Sequence, residues 1–157
     1  MADRPHRPTP GFLVWRLAMR WRTAVDRAVA PLGLTHAQYS VLASLYGMVL
    51  AGQQPSQRQL ADHTGLEPIY VSKLVRALEH AGLVERAGNP ADTRAVRLAL
   101  TPHGTDVVNR AIGVVADLQD QLMAPLGGVR GARTRAMVDA LEALLAVPLP
   151  DSSGGDP

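Results

Sequence analysis

The sequence predicts a mainly α-helical fold that contains one small β-hairpin. The composition is dominated by alanine, leucine and valine, which favours helices. Apolar residues recur at the three-to-four spacing of a helix face along most of the chain. The short runs at 83–86 and 95–100 show a strand pattern instead, on either side of the turn-forming residues Gly88, Asn89 and Pro90.

The length of 157 residues suits one domain with a hydrophobic core. Residues 1–10 and 148–157 are rich in Pro, Gly, Ser and Asp, so we expect two flexible tails around a single folded region over 11–147. The chain has no apolar run of roughly 20 residues and a polar, proline-rich start, which predicts a cytoplasmic protein without a membrane partner. The lack of cysteine excludes disulfides, thiolate metal sites and cysteine redox sensing.

The first predicted helix covers about residues 12–30 and is apolar nearly all round. Arg16, Arg20, Thr23 and Arg27 interrupt it at a spacing that places them along one stripe. We therefore expect this helix to be buried on most sides.

Two capping boxes predict where the next two helices begin. Thr35 with Gln38 opens one helix, and Ser56 with Gln59 opens a short helix over 57–63. The first of these helices is expected to face the core with Val41, Leu42 and Leu45.

A tight turn and a third helix follow the second capping box. Gly65 stops the short helix, Pro68 suits the first turn of the next, and Gly82 closes it. The apolar stripe of this helix consists of Val71, Leu74, Val75 and Leu78.

The hairpin leads into two further helices. Thr101 as N-cap and Pro102 at the first position predict a long helix that ends at Gly127 and Gly128, and a last helix covers about 132–147. Their inward-facing residues are expected to be Val107, Val108, Ile112, Val115, Leu118 and Leu122, then Met137, Leu141, Leu144 and Leu145.

The order of helix, short helix, tight turn, helix and hairpin is typical of a winged helix-turn-helix, here over about 35–104. The apolar helices at about 11–30 and 105–147 exceed what such a small lobe can cover, so we expect N- and C-terminal dimerisation helices. A two-fold homodimer would present two recognition helices to successive major grooves of a pseudo-palindromic site on double-stranded DNA.

The face of the third helix opposite its apolar stripe is the candidate DNA-binding surface. Lys73 and Arg76 supply positive charge for phosphates or guanine edges, and Ile69 suits a thymine methyl group. A solvated helix face is the alternative. The candidate DNA-binding residues outside the hairpin are Gln57, Pro68, Ile69, Ser72, Lys73 and Arg76.

Five segments carry a resemblance to a known family: LTHAQYSVL at 34–42, QLA at 59–61, AGLVER at 81–86, DTRA at 92–95 and LTPHG at 100–104. In this order and spacing the chain resembles the MarR family of regulators over about residues 12–147. The resemblance implies a DNA-binding transcriptional repressor, with Arg94 as the minor-groove arginine of the hairpin wing and Asp92 as its orienting partner. The bulky Ile69 and Tyr70, and a wing with few basic residues, depart from the usual family pattern.

The resemblance also implies release by a small anionic aromatic effector, bound between the dimerisation helices and the DNA-binding lobe. An arginine beside aromatic rings suits an aromatic carboxylate. The candidate residues are Trp15, Arg16, Met19, Arg20, His36, Tyr39 and Tyr46. Core packing of the aromatic residues and intersubunit ion pairs of Arg16 and Arg20 are alternatives, and Arg22 with Asp26 is interpreted as an ordinary i, i+4 pair.

The sequence contains no recognisable catalytic constellation or phosphate-binding loop, so we expect neither an enzyme nor a bound cofactor. The five histidines lack the close spacing of metal ligands, and no metal site is predicted. The rival hypothesis is a winged-helix dimer that binds protein without specific DNA binding.

Overall fold

The computed structural model describes residues 7–89 and 92–148, with side chains described for 7–88 and 96–148. These residues form two compact units that divide between Val115 and Ala116. The observed elements are α1 (Pro10–Val29), α2 (His36–Leu50), α3 (Gln57–Thr64), α4 (Pro68–His80), β1 (Val84–Asn89), β2 (Asp92–Leu100), α5 (Pro102–Met123) and α6 (Ala132–Leu145). Short 3-10 turns, Ala30–Leu32 and Ala124–Leu126, follow α1 and α5. The predicted helical fold with one hairpin is confirmed.

Both predicted capping boxes are present. The Thr35 hydroxyl accepts a hydrogen bond from the Gln38 backbone N–H at 3.2 Å, and the Gln38 side chain accepts from the Thr35 N–H at 2.9 Å. Ser56 and Gln59 make the same two bonds at 3.2 and 2.8 Å. Thr9 caps α1 in a similar way, which is why this helix begins at Pro10, two residues before the predicted start.

The core of the first unit lies where α1, α2, α3 and α4 pack together. The predicted stripe of α4 is buried, and so is the predicted apolar face of α2. The largest fully buried side chains in the described residues are Val25, Val29, Val41, Leu42, Leu45, Pro55, Leu60, Val71, Val75, Leu78 and Val108. This packing leaves the remaining side of α4 at the surface.

The hairpin is longer than the sequence predicts. β1 and β2 pair antiparallel from Val84 with Leu100 to Asn89 with Asp92, with an irregularity between Gly88 and Asn89. Gly88 and Asn89, expected in the turn, therefore belong to β1, because backbone pairing overrides their local turn preference. Of the predicted turn, Pro90 lies outside the described residues. The Leu98 N–H donates to the Pro55 carbonyl at 2.9 Å and joins β2 to the segment before α3.

The first half of α5 completes the first unit. Thr101 caps α5 as predicted, since its hydroxyl accepts from the Gly104 N–H at 2.9 Å. Val107, Val108 and Val115 are buried as expected, whereas Ile112 is half-buried. The neighbouring Ala111 is fully buried.

The second unit contains the rest of α5, a 3-10 turn and α6. α5 ends at Met123, four residues before the predicted end, because Pro125 lacks the N–H that another α-helical turn needs. Leu118 and Leu122 are half-buried and Met123 is buried. The Thr134 hydroxyl donates to the Gly128 carbonyl at 2.7 Å and is itself buried.

Two helices expose apolar side chains that we expected to be covered. Leu141, Leu144 and Leu145 of α6 point to solvent, with Leu145 86% exposed, and Met137 is half-buried. α1 is not buried on most sides within one chain, because only Val25 and Val29 of its residues are buried. Its exposed apolar side chains include Phe12, Leu13, Val14, Trp15, Leu17 and Met19. Among the described residues, no helix combines the length and apolarity needed to span a bilayer.

Candidate nucleic-acid interface and ligand cleft

The exposed side of α4 collects the predicted DNA-binding residues of that helix. Pro68, Lys73 and Arg76 are exposed, Ser72 is half-buried, and the Ile69 side chain is 71% exposed. Ile69, Lys73 and Arg76 project from the side opposite the buried stripe, whereas Ser72 lies at its border and Pro68 at the start of the helix. An isoleucine so exposed contributes little to folding, so its surface is free to contact a partner.

The Arg76 guanidinium on this face makes only weak contacts within the chain. The Arg76 guanidinium donates to the Ser72 carbonyl at 3.4 Å and to the Ser72 hydroxyl at 3.2 Å. Such exposed bonds contribute little net energy and exchange readily for stronger bonds to phosphate oxygens.

Gln57 does not join the α4 face directly but contacts the hairpin. It is the first residue of α3, and its side-chain oxygen accepts from Arg86 Nη2 at 3.4 Å. Arg86 Nε also donates to Glu79 Oε1 at 2.8 Å. Arg86 thus connects β1 to α3 and α4. The sequence contains no signal for this contact, since its partners lie 7 and 29 residues away.

Arg97 makes a second connection between the hairpin and the helix-turn-helix. Its Nη1 atom donates to the Gln54 carbonyl at 2.6 Å and lies 3.4 Å from the Gln59 side-chain oxygen. Arg86 and Arg97 together hold both strands against the segments that flank α3.

Asp92 and Arg94 belong to β2, but their side chains lie outside the described part of the structure. Their proposed roles at the wing remain predictions. The hairpin that carries them is anchored at its base by the contacts of Arg86 and Arg97.

A cleft of about 530 Å³ lies between α1 and α2 on one side and the α3–α4 turn on the other. This volume falls within the range of small-molecule sites. We call it the Arg22 cleft. Its lining residues are Arg22, His36, Ala37, Ser40, Ser44, His63, Thr64, Leu66 and Tyr70.

The electrostatics of the Arg22 cleft favour an anion. Asp26 Oδ1 accepts a hydrogen bond from the His36 backbone N–H at 2.5 Å, while Asp26 Oδ2 lies 4.0 Å from Arg22 Nε. Arg22 remains 62% exposed, so its guanidinium has donors left for a ligand. Burial lowers the pKa of His36. The positive charge of Arg22 also lowers this pKa, whereas the negative charge of Asp26 raises it. His36 is therefore neutral at pH 7 and offers one donor and one acceptor.

In the described part of the chain, the predicted effector residues are divided among different surfaces. Of that set, His36 lines the Arg22 cleft, whereas Arg16 and Arg20 line a separate groove on α1 with Leu13 and Leu17. The arginine at the cleft is Arg22, because it lies about 9 Å further along the helix axis than Arg16.

The other predicted effector residues lie elsewhere on α1 and α2. Trp15 and Met19 are exposed, and the Trp15 ring lies 6.0 Å from that of Phe12. Tyr39 and Tyr46 are half-buried in α2, and burial raises the pKa of Tyr39. Periodicity places Arg16 and Arg20 on one stripe and Arg22 outside it, but it does not indicate which side of α1 faces a cavity, since the neighbouring helices determine that.

No group of three or more His, Asp or Glu side chains with the arrangement of a metal site occurs in the described ranges.

Comparison with known proteins identifies relatives of this fold. Residues 32–95 match the MarR family. The HTH-type transcriptional regulator YdcH of Bacillus subtilis is 36% identical over 116 residues, which cover 74% of this chain and 79% of YdcH. CouR of Rhodococcus jostii RHA1, solved with p-coumaroyl-CoA, is 27% identical, with a TM-score of 0.77 over 95% of this chain and 100% of CouR. The transcriptional repressor CouR bound to a 23-mer DNA duplex is 30% identical, with a TM-score of 0.72 over 92% and 97% of the two chains.

Proposed function

Because the chain belongs to the MarR family of winged helix-turn-helix transcriptional regulators, we propose that it binds a specific double-stranded DNA site as a homodimer and represses transcription. The observation that carries this proposal is the α4 face, where an exposed isoleucine lies beside Lys73 and Arg76 opposite a buried stripe. The protein is then a regulator and not an enzyme. Since it must reach the genome, its proposed location is the cytoplasm.

In the proposed complex α4 is the recognition helix and lies in the major groove. Lys73 and Arg76 neutralise phosphates or bind guanine edges, and Ser72 can donate to or accept from a base. Ile69 packs against a thymine methyl group. Pro68 has no backbone N–H that would need a hydrogen-bond partner at the start of the helix. α4 can therefore begin directly at the DNA surface.

Arg94 is proposed to enter the minor groove from the wing, with Asp92 orienting its guanidinium. This role follows from the family resemblance. A narrow minor groove has enhanced negative potential, so an arginine there binds groove shape and not a unique base pattern. The contacts of Arg86 and Arg97 support the proposal, since they keep the hairpin in a constant position relative to α4.

The proposed effector is a small aromatic carboxylate, and the Arg22 cleft is the site that suits it within this chain. Arg22 can bind the carboxylate, and Leu66 with Tyr70 can cover an aromatic ring. The CouR structure with p-coumaroyl-CoA supports ligand binding by a related chain. The effector can release the protein from DNA only if it binds more tightly to a conformation that does not fit the operator than to one that does.

Fluorescence anisotropy tests DNA binding directly. The purified protein is titrated against the duplex upstream of its own gene and a scrambled duplex, at two salt concentrations. We expect tight, selective binding that weakens with salt, a loss of affinity in Arg94→Ala, and a salt slope about 0.9 units shallower in Lys73→Gln. Arg110→Gln is the matched control, since it removes one exposed positive charge from α5, away from the α4 face.

Two outcomes would contradict the proposal in different ways. Absence of selective binding at either salt concentration, with the dimer intact, would exclude autoregulation at that site. If a wider duplex library also failed, the winged-helix dimer that binds protein would become the better hypothesis, since duplex binding is steeply salt-dependent.

A further inference from the structure

Three polar side chains connect the last turn of α4, strand β1 and the start of α3. Glu79 Oε1 accepts a hydrogen bond from Arg86 Nε at 2.8 Å, and Arg86 Nη2 donates to the Gln57 side-chain oxygen at 3.4 Å. The ion pair is partly shielded from water, with the Glu79 side chain 27% exposed and that of Arg86 37% exposed. Glu79 therefore holds the Arg86 guanidinium in one orientation toward Gln57.

The orientation of the Gln57 amide follows from the chemistry of its partner. A guanidinium has N–H donors and no acceptor, so the amide must direct its oxygen to Arg86. This directs the two N–H donors of the amide away from Arg86. Through Arg86, Glu79 thus determines where those donors point.

Gln57 lies between the two elements that are proposed to enter the DNA grooves. It is the first residue of α3, and Arg86 connects it both to β1 of the wing and to α4. A sugar-phosphate backbone separates each major groove from the adjacent minor groove. A donor placed between a recognition helix and a wing would therefore meet phosphate oxygens, which glutamine side chains commonly bind.

We propose that the Gln57 amide N–H binds a DNA phosphate, and that Glu79 and Arg86 are the residues that position it. The donor is oriented before DNA arrives, so little side-chain freedom is lost on binding. The carboxylate of Glu79 then favours binding of a polyanion, although without this role its charge would oppose binding. This inference rests on the proposed function and adds a phosphate contact to those of Lys73 and Arg76.

Methylphosphonate linkages test the contact one phosphate at a time, because each replaces a charged phosphate oxygen with a methyl group. The duplex bound in the anisotropy titration is synthesised with one such linkage at each position in turn, at matching positions of both half-sites. Affinity is measured for the unmodified protein, Gln57→Ala, Glu79→Gln and Arg86→Lys. Urea unfolding verifies that each variant is folded under the assay conditions.

We expect one linkage at which the substitution lowers the affinity of the unmodified protein about tenfold and that of Gln57→Ala less than about twofold, as for loss of a hydrogen bond to a charged group. Glu79→Gln should lose most of this sensitivity at the same linkage and keep it at linkages bound by Lys73. On the unsubstituted duplex, Glu79→Gln should bind about three- to tenfold more weakly, although it removes a negative charge.

Arg86→Lys separates position from charge. Lysine keeps the positive charge but lacks the planar fork that reaches two acceptors, so this variant should behave like Glu79→Gln at the same linkage. A purely structural role would instead lower the affinity for every duplex by the same factor and leave the pattern of sensitive linkages unchanged.

Asp62→Asn is the matched control. It removes a carboxylate that lies 3.7 Å from Arg58 within α3, so it also frees an arginine, and it leaves the contact between Arg86 and Gln57 in place. This variant should keep the sensitivity at every linkage and bind the unsubstituted duplex at least as tightly as the unmodified protein.

Equal or tighter binding of the unsubstituted duplex by Glu79→Gln would overturn the positioning role. Undiminished sensitivity of Gln57→Ala at every linkage would overturn the phosphate contact itself. Either result, with selective binding by the unmodified protein, would leave the proposed function intact. If the unmodified protein bound no duplex of a wider library, the proposed function would fail and this inference would fail with it.

Discussion

Gly104, in the first turn of α5, lies directly against the main chain of Leu83. A Cβ atom at position 104 would lie 1.9 Å from the Leu83 carbonyl oxygen, a distance that only movement of backbone could relieve. We expect Gly104→Ala to lower the free energy of unfolding by roughly 1–3 kcal/mol, as overpacking does. Urea denaturation measures the change.

Gly47, in the middle of α2, is the matched control for Gly104. Its added Cβ would meet no heavy atom within 4 Å, so Gly47→Ala should stabilise the protein by about 0.5–1 kcal/mol through helix propensity. Equal effects of the two substitutions would show that the contact with Leu83 is not what requires glycine at 104.

The pKa of His36 predicts how stability depends on pH. Burial lowers the pKa of His36 below 6.5 in the folded chain, so the unfolded chain binds more protons between the lowered value and 6.5. The free energy of unfolding should therefore be highest above about pH 6.5 and fall as the pH drops through that window. Denaturation at pH 7.5 and 5.5, at one protein concentration, measures the difference.

His36→Gln should make this pH dependence shallower, because glutamine does not titrate. An unchanged slope in His36→Gln would show that this half-buried histidine does not determine the pH dependence.

Among the elements, α3 depends most clearly on its cap. It has only eight residues, and the Ser56 hydroxyl satisfies the Gln59 N–H at its start. Ser56→Ala should cost about 1 kcal/mol of stability, measured by thermal or urea unfolding. The control is Thr23→Ala, since the Thr23 hydroxyl only bonds back to Met19 within an exposed helix turn and its loss should stay within about 0.5 kcal/mol.

For the whole molecule, the exposed apolar side chains of α1 and α6 predict a homodimer. On α1, the Leu13 side chain is 50% exposed and that of Leu17 is 42% exposed. On α6, Leu144 and Leu145 are exposed. Large apolar side chains exposed in this number on each helix indicate an interface. Analytical ultracentrifugation should give twice the chain mass of 16.8 kDa.

Leu13→Glu should produce monomers and abolish binding to a pseudo-palindromic duplex, whose half-sites are expected 10–10.5 base pairs apart. Leu50→Glu is the matched control, because Leu50 is 69% exposed at the end of α2. If Leu13→Glu stayed dimeric while Leu50→Glu dissociated, the interface would lie away from the start of α1.

Helix starts and buried faces could be predicted from the sequence because their causes are local. Thr35 with Gln38 and Ser56 with Gln59 form their caps within one helix turn, and the stripe of α4 follows from helical periodicity. The exposed face of α4, which we propose binds DNA, follows from the same stripe, since the side that is not buried must meet solvent.

The remaining features depend on residues far apart in the chain. Arg86 meets Gln57 across 29 residues and Arg97 meets the Gln54 carbonyl across 43, so no local pattern indicates either contact. Gly88 belongs to β1 because its backbone pairs with the residue opposite it on β2. Arg22 lines the cleft and Arg16 a separate groove, because the helices that pack against α1, and not its local sequence pattern, determine where a cavity forms.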